Sequence, residues 1–135
     1  MASLYFSKSY SQNADLGSLL VVIPPVNSKR MLLVELSQKL QFPDYFGFNW
    51  DALYDLLCEC YGIKEKNITI FHESVKDIPV TDLLKYLDVI QATCEWWKGY
   101  EDHKFFFVFN SNEKDHIMNL VNNNKYLFGI VIHSL

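Results

Sequence analysis

Short runs of apolar residues, separated by segments with helical spacing, constrain the fold of this chain most strongly. The clearest runs are residues 19–23, 67–71 and 104–109, and the first of them is followed by two consecutive prolines. Runs that stay apolar throughout are typical of strands buried on both faces of a parallel sheet. The alternation of such strands with helices predicts an α/β fold, in which a mainly parallel sheet of three to four strands is covered by helices.

Turn and cap residues mark where the intervening helices begin and end. The first helix should end before Pro43, because the residue before a proline avoids helical geometry. The second should begin after Asn49, a good N-cap, and end at about Tyr61, where Gly62 can adopt the left-handed conformation. A third helix is predicted over about residues 81–98.

The length of the chain, 135 residues, is close to the commonest size of one domain. We therefore expect a single domain over residues 1–135, with its core at about residues 19–110. An additional helix and strand are predicted within residues 112–133. The polar, serine-containing residues 1–18 are consistent with either an edge strand and a loop or a loosely held arm.

Charge and cysteine content limit the classes of partner and the location. The formal net charge is −4 and the 12 Lys and Arg residues are scattered, so direct nucleic-acid binding is disfavoured and a basic protein partner is favoured. The N-terminal residues do not resemble a signal peptide, and no apolar run is long enough to cross a membrane. The three cysteines form no complete disulfide framework. These features predict a cytoplasmic protein with free thiols that does not bind membranes.

Motifs for catalysis or cofactor binding are weak in this sequence. It has neither of the glycine-rich phosphate-binding patterns, GxGxxG and GxxxxGK[ST]. Cys58 and Cys60 would point about 200° apart on a helix and so cannot share a metal ion. His72 and Glu73 follow a predicted strand, where α/β active sites often lie, but no nucleophile motif accompanies them. We expect no catalytic residues, no metal and no cofactor, although a small hydrolase that uses His72 stays an alternative.

The second predicted helix carries three carboxylates on one side. With about 100° per residue, Asp51, Asp55 and Glu59 lie within about 80° of one another, and no basic residue separates them. We call these three residues the acidic ridge. The opposite side is apolar and consists of Leu53, Leu56, Leu57 and Cys60. Aromatic residues flank the ridge, namely Tyr45, Phe46, Phe48, Trp50 and Tyr54. Such a surface is consistent with a solvated helix face or with a binding surface.

The segment from Pro43 to Leu57, PDYFGFNWDALYDLL, resembles the signature of the barstar family of ribonuclease inhibitors. The match joins a turn, a cap, two acidic positions and several core positions in one register. This resemblance implies a barstar-like fold, enlarged at both termini, and an inhibitor rather than an enzyme. Family members bind a ribonuclease inside the producing cell and block its active site. The chain would then be an immunity protein against a ribonuclease toxin with a basic active site.

The resemblance also implies roles for individual residues. Asp55 would occupy the phosphate site of the ribonuclease, Asp51 would meet a second basic group, and Tyr45 would stack on a ribonuclease side chain. The full set of predicted partner-binding residues is Tyr45, Asn49, Trp50, Asp51, Tyr54, Asp55, Cys58 and Glu59.

Two positions depart from the best-known family member. Phe48 stands where that member has an acidic residue, and Glu59 stands where it has a small one. The family also uses an acidic residue on a later helix, for which Glu95 is the nearest candidate. These departures bear on the identity of the ribonuclease. The alternative from another class is a protein-binding regulatory module on the same fold, without a nuclease target.

Overall fold

A five-stranded parallel sheet forms the centre of the part of the chain that the structure, a computed structural model, describes: residues 2–9 and 18–134. The strand order is β2-β3-β4-β1-β5, and every neighbouring pair is parallel. The strands are β1 (Ala2–Ser7), β2 (Ser18–Ile23), β3 (Asn67–His72), β4 (Lys104–Asn110) and β5 (Ile130–Ser134). The predicted α/β class and parallel sheet are confirmed.

The number of strands exceeds the predicted three to four, because the N-terminal residues contribute a strand besides the predicted C-terminal one. The sheet has five strands rather than three to four, and β1 lies in its interior, between β4 and β5, rather than at an edge. Leu4 pairs with Phe107 on one side and with Ile132 on the other. The loop or arm predicted for the rest of the N-terminal segment, residues 10–17, lies outside the described residues.

Four α-helices connect the strands within the described residues. They are α1 (Lys29–Lys39), α2 (Trp50–Glu59), α3 (Val80–Trp97) and α4 (Lys114–Asn122). Short 3-10 turns, Ser111–Glu113 and Lys125–Leu127, flank α4. The side chain of Ser28 caps α1 by accepting a hydrogen bond from the backbone N–H of Met31 at 3.1 Å. Helix α2, which carries the acidic ridge, packs against α3.

The core lies between the helices and one face of the sheet. The strand register places Phe6, Phe109 and His72 side by side on the neighbouring strands β1, β4 and β3. Residues two positions away along each strand lie on the same face of the sheet. Buried side chains of α1, α2 and α3 complete this core, namely Leu32, Leu33, Leu36, Leu53, Leu56, Leu57, Leu83, Tyr86, Leu87 and Ile90. Burial of these apolar groups holds α2 in place from its inner side.

The end of α2 was predicted two residues too late. The helix ends at Glu59, and Cys60 takes a left-handed conformation with φ of 48°. Gly62 also has a positive φ, of 77°, as predicted, but it lies beyond the end of the helix. The Cys60 side chain is buried, and its thiol donates to the carbonyl oxygen of Leu57 at 3.2 Å. Glycine is usually preferred at a left-handed position after a helix. At position 60, burial of the cysteine side chain offsets the cost of the left-handed backbone.

Candidate partner-binding site

The acidic ridge is fully on the solvent side of α2. Asp51, Asp55 and Glu59 are exposed, whereas the leucines on the opposite side are buried. Among residues 2–9 and 18–134, no Lys, Arg or His nitrogen lies within 4.0 Å of any of these three carboxylates. Asp51 lies in the first turn, where the helix dipole favours a negative charge, but the other two have no such compensation. The ridge therefore presents unpaired negative charge to solvent.

Asn49 fixes the start of α2, as predicted. Its Oδ1 accepts a hydrogen bond from the backbone N–H of Ala52 at 2.8 Å, and its Nδ2 donates to the carbonyl oxygen of Gly47 at 3.3 Å. A Cβ atom at position 47 would come within 3.1 Å of that Nδ2, so a glycine there lets the loop approach the cap closely. The side chain of Asn49 is thus engaged within the chain, where it joins the loop to the helix.

The loop before α2 is held by aromatic rings that pack edge-on or tilted against one another. The ring of Phe46 is buried, with its centroid 5.0 Å from that of Phe42 and 4.7 Å from that of Phe48. Tyr45 points outward instead and is 72% exposed. The aromatic residues of this segment therefore divide between core and surface, which leaves Tyr45 free to contact a partner.

Phe48 holds an unusual backbone conformation at the edge of this loop. Its φ is 49°, in the left-handed region that bulky residues rarely adopt, and its side chain is 39% exposed. The guanidinium carbon of Arg30 lies 5.5 Å from the centre of the Phe48 ring. Such strain persists only where surrounding contacts determine the backbone, so the loop conformation is set before any partner binds.

Trp50 and Tyr54 are half-buried rather than fully presented to solvent. The Trp50 ring lies 6.0 Å from that of Tyr86 on α3, and the ammonium of Lys29 lies 5.5 Å from its centre. The indole Nε1 is shielded from solvent and has no hydrogen-bond partner among the described residues. Burial raises the pKa of Tyr54, and the adjacent Cys58 and Asp55 raise it further. Each of these two side chains is therefore partly packed against the protein and partly exposed beside the acidic ridge.

The two cysteines of this segment differ in position. Cys58 is half-buried beside the ridge, and this burial raises the pKa of its thiol. A hydrogen bond with Tyr54 lowers that pKa, whereas the carboxylates of Asp55 and Glu59 raise it. Burial raises the pKa of Cys60 to about 12. Neither thiol is ionised at neutral pH. Within the described ranges, no three His, Cys, Asp or Glu side chains are grouped so that they could hold a metal ion.

His72 is not available to a substrate. It is completely buried, and its two ring nitrogens lie 2.8 Å from the carbonyl oxygen of Val108 and 2.6 Å from the hydroxyl of Tyr86. His103 and His133 lie elsewhere, hydrogen-bonded to Glu65 and Ser3 respectively. The structure thus places His72 in the core, where its ring packs against those of Tyr86 and Phe109.

The loop, the cap and the ridge occur in the order expected from the barstar signature. The barstar family model, described as barstar (barnase inhibitor), matches residues 19–110, about two thirds of the chain. The chain belongs to the barstar family. A search of the curated proteins gives no match. Barstar membership suggests a ribonuclease inhibitor-like role with a protein partner, and barstar proteins are inhibitors rather than enzymes. In the described residues, no helix is long and apolar enough to span a membrane.

Sequence reasoning missed two cations beside the barstar-like segment. Lys29 and Arg30, in the first turn of α1, lie over the rings of Trp50 and Phe48. They are separated from those rings by about twenty residues of sequence, so no local pattern indicates the contact. Glu95, the candidate acid on a later helix, lies near the end of α3, with its carboxylate 3.0 Å from the ammonium of Lys98.

Proposed function

We propose that this barstar-family protein is an immunity protein that binds a ribonuclease toxin in the cytoplasm and blocks its active site with α2 and the preceding loop. The observation that supports this proposal is the unpaired acidic ridge of Asp51, Asp55 and Glu59 on a helix held from behind by its leucines. A ribonuclease active site must be basic to hold RNA phosphates. Carboxylates spaced along one helix face can occupy such a site in place of RNA.

Rigidity of the surface supports the proposed mode of binding. The Asn49 cap and the packed rings of Phe42, Phe46 and Phe48 hold the loop in one conformation, in which Phe48 keeps a left-handed backbone. A surface that is ordered before binding loses less conformational entropy when the complex forms. We infer that Tyr45 and the ridge engage the ribonuclease without rearrangement of α2.

The proposed roles follow the positions of the side chains. Asp55 lies at the middle of the ridge and would fill the phosphate site, with Asp51 beside it against a second basic group. Glu59 adds a third carboxylate at the end of the helix. Desolvated carboxylate–guanidinium pairs slow dissociation, whereas the summed negative charge accelerates encounter with a basic enzyme.

The experiment is an inhibition assay with purified proteins. The full chain is mixed with barnase and, separately, with any nuclease that is found encoded directly upstream of its gene, and cleavage of a fluorescent RNA substrate is followed. We expect stoichiometric inhibition of at least one enzyme, with an association rate that falls as salt is raised from low to physiological ionic strength. Absence of inhibition of both enzymes at micromolar concentrations would contradict the proposal.

A protein-binding regulatory module on the same fold is the alternative. It would bind its partner without loss of nuclease activity, and binding would survive the simultaneous replacement of Asp51 and Asp55 by alanine. The exposed ring of Phe48, at a position that is acidic in the best-known relative, is the observation that favours a partner of different chemistry. Inhibition that depends on both aspartates would exclude this alternative.

A further inference from the structure

An open cleft of about 540 Å³ lies at the amino-terminal end of the sheet. It is bounded by the end of α3 and by the starts of β1, β3 and β4, at the residues Ser3, Lys66, Trp97 and Lys104. We call it the basal cleft. Among the described residues that line it, none belongs to the predicted partner-binding set. The basal cleft is therefore a separate surface, and its volume lies in the range of small-molecule sites.

Positive charge is concentrated in the basal cleft, although the protein is acidic. Three of the chain's 12 Lys and Arg residues line it, against one lining carboxylate, Glu101. Lys98 is paired with Glu95 at 3.0 Å. Lys66 and Lys104 form no ion pair with any residue of the described ranges, and the backbone N–H of Lys104 donates to the carbonyl oxygen of Lys66 at 2.7 Å. The two side chains start from adjacent backbone positions, and the ammonium of Lys104 rests 5.1 Å from the centre of the Phe106 ring rather than against a carboxylate.

Aromatic rings form one wall of the same cleft. The indole N–H of Trp97 donates to the carbonyl oxygen of Leu57 at 3.0 Å, which fixes the orientation of the ring. The rings of Tyr100 and His103 pack edge-on against Trp97, at centroid distances of 6.0 Å and 5.1 Å. Tyr100 is 51% exposed, so part of its ring is open to a ligand. A fixed aromatic wall beside two cations that have no carboxylate partner in the described residues suits a ligand that is both planar and anionic.

We propose that the basal cleft binds a nucleoside phosphate, with the base stacked on Tyr100 and the phosphate held by Lys66 and Lys104. Base stacking on aromatic side chains tolerates any base, and ammonium groups form charge-assisted hydrogen bonds with phosphate oxygens. A longer nucleic acid is disfavoured, because the net charge of −4 repels a polyanion and one cleft neutralises few phosphates. The inference concerns a different surface from the acidic ridge and does not depend on inhibition of a ribonuclease.

The experiment is a titration followed by NMR on the full-length, ¹⁵N-labelled protein. Adenosine 5′-monophosphate is added while the indole N–H signal of Trp97 and the backbone signals of the cleft are monitored. Adenosine, ribose 5-phosphate and inorganic phosphate are titrated in parallel. We expect saturable shifts confined to the cleft, with a dissociation constant below about 1 mM for the nucleotide. Each of the three fragments should bind at least about tenfold more weakly, because each lacks either the ring or the phosphate.

Variants at exposed positions test the assigned contacts without disturbing the core. Lys66→Ala together with Lys104→Ala should weaken nucleotide binding about tenfold or more. Tyr100→Leu should reduce nucleotide affinity to that of ribose 5-phosphate. Lys76→Ala together with Lys85→Ala removes two positive charges from residues that do not line the cleft, and it should leave binding unchanged.

Several results would overturn the proposal. Shifts that do not saturate, or an affinity equal to that of inorganic phosphate, would show that the cleft does not recognise a nucleotide. Unchanged affinity in the folded double lysine variant would show that the phosphate binds elsewhere. Tighter binding of a single-stranded oligonucleotide than of the mononucleotide would replace the proposed ligand by a polymer.

Discussion

Replacement of the buried His72 and Tyr86 by phenylalanine should remove part of the chain's loss of stability in acid. Nδ1 of His72 must carry the proton, because its partner, the Val108 carbonyl oxygen at 2.8 Å, can only accept. Nε2 then accepts a hydrogen bond from the Tyr86 hydroxyl at 2.6 Å. The imidazole is stacked on Phe109, with 4.2 Å between the ring centroids. Phenylalanine at both positions keeps the rings and removes the two polar groups together.

The magnitude follows from the pKa of His72, which burial lowers from 6.5 to about 4, against a hydrogen bond to Val108 that raises it. Above pH 6.5 the imidazole is neutral in both the folded and the unfolded chain, so it adds no pH dependence. As the pH falls below 6.5 the unfolded chain binds a proton that the folded chain does not, and stability is lost. The loss amounts to about 1.4 kcal/mol per pH unit, reaches about 2 kcal/mol at pH 5, and ends near pH 4 at about 3 kcal/mol.

The assay is urea denaturation of the wild type and of the double variant His72→Phe/Tyr86→Phe at pH 7, 6 and 5. The free energy of unfolding of the wild type should fall by about 2 kcal/mol more than that of the variant over this range. Carboxylates titrate in both proteins, so their contribution cancels in the difference. Parallel curves for the two proteins would refute the reasoning, because they would show that His72 is protonated as readily in the folded state as in the unfolded one.

Two further predictions concern hydrogen bonds that hold the loops around the sheet. Asn49→Ala removes the cap hydrogen bond to Ala52 and should lower the free energy of unfolding by about 1 kcal/mol in urea denaturation, whereas Asn49→Asp, which can still cap, should have a much smaller effect. Glu113→Ala leaves the buried N–H of Val75 and the hydroxyl of Ser74 without their acceptor, at 2.8 Å and 2.6 Å. It should cost about 2–3 kcal/mol in thermal unfolding, and a change below about 0.5 kcal/mol would show that the carboxylate is replaceable by water.

Elements whose identity depends on local pattern could be predicted from the sequence. Strands β2, β3 and β4 are apolar runs, which predicted that they form strands, but burial on both faces was wrong for β2, where Leu20 is 39% exposed. The start of α2 follows from the Asn49 side chain, and its orientation follows from carboxylates and leucines at helical spacing. These features need only residues within about four positions of one another, which is the range over which sequence periodicity is informative.

Features that depend on distant partners could not be predicted in this way. Strand β1 is interrupted by Ser3 and lacks a continuous apolar run, and only pairing with β4 and β5, about one hundred residues or more away, places it inside the sheet. Glu113 lies in a charged run that resembles a solvated turn, yet its carboxylate is buried against the loop after β3. The left-handed conformation of Cys60 accompanies burial of its side chain, and that of Phe48 accompanies ring contacts with Phe46 and Arg30, so neither follows from local preference.

The most direct test of the central claim is the affinity of ridge variants for the ribonuclease that the chain inhibits. Asp55→Ala should weaken inhibition by about 2–5 kcal/mol, or roughly 30-fold to several thousand-fold, because the basic group opposite would be left unpaired. Asp115→Ala removes the same charge from an exposed position on α4 and should leave inhibition within about twofold. Equal inhibition by the wild type and Asp55→Ala would contradict the account, since the acidic ridge would then not be the surface that blocks the active site.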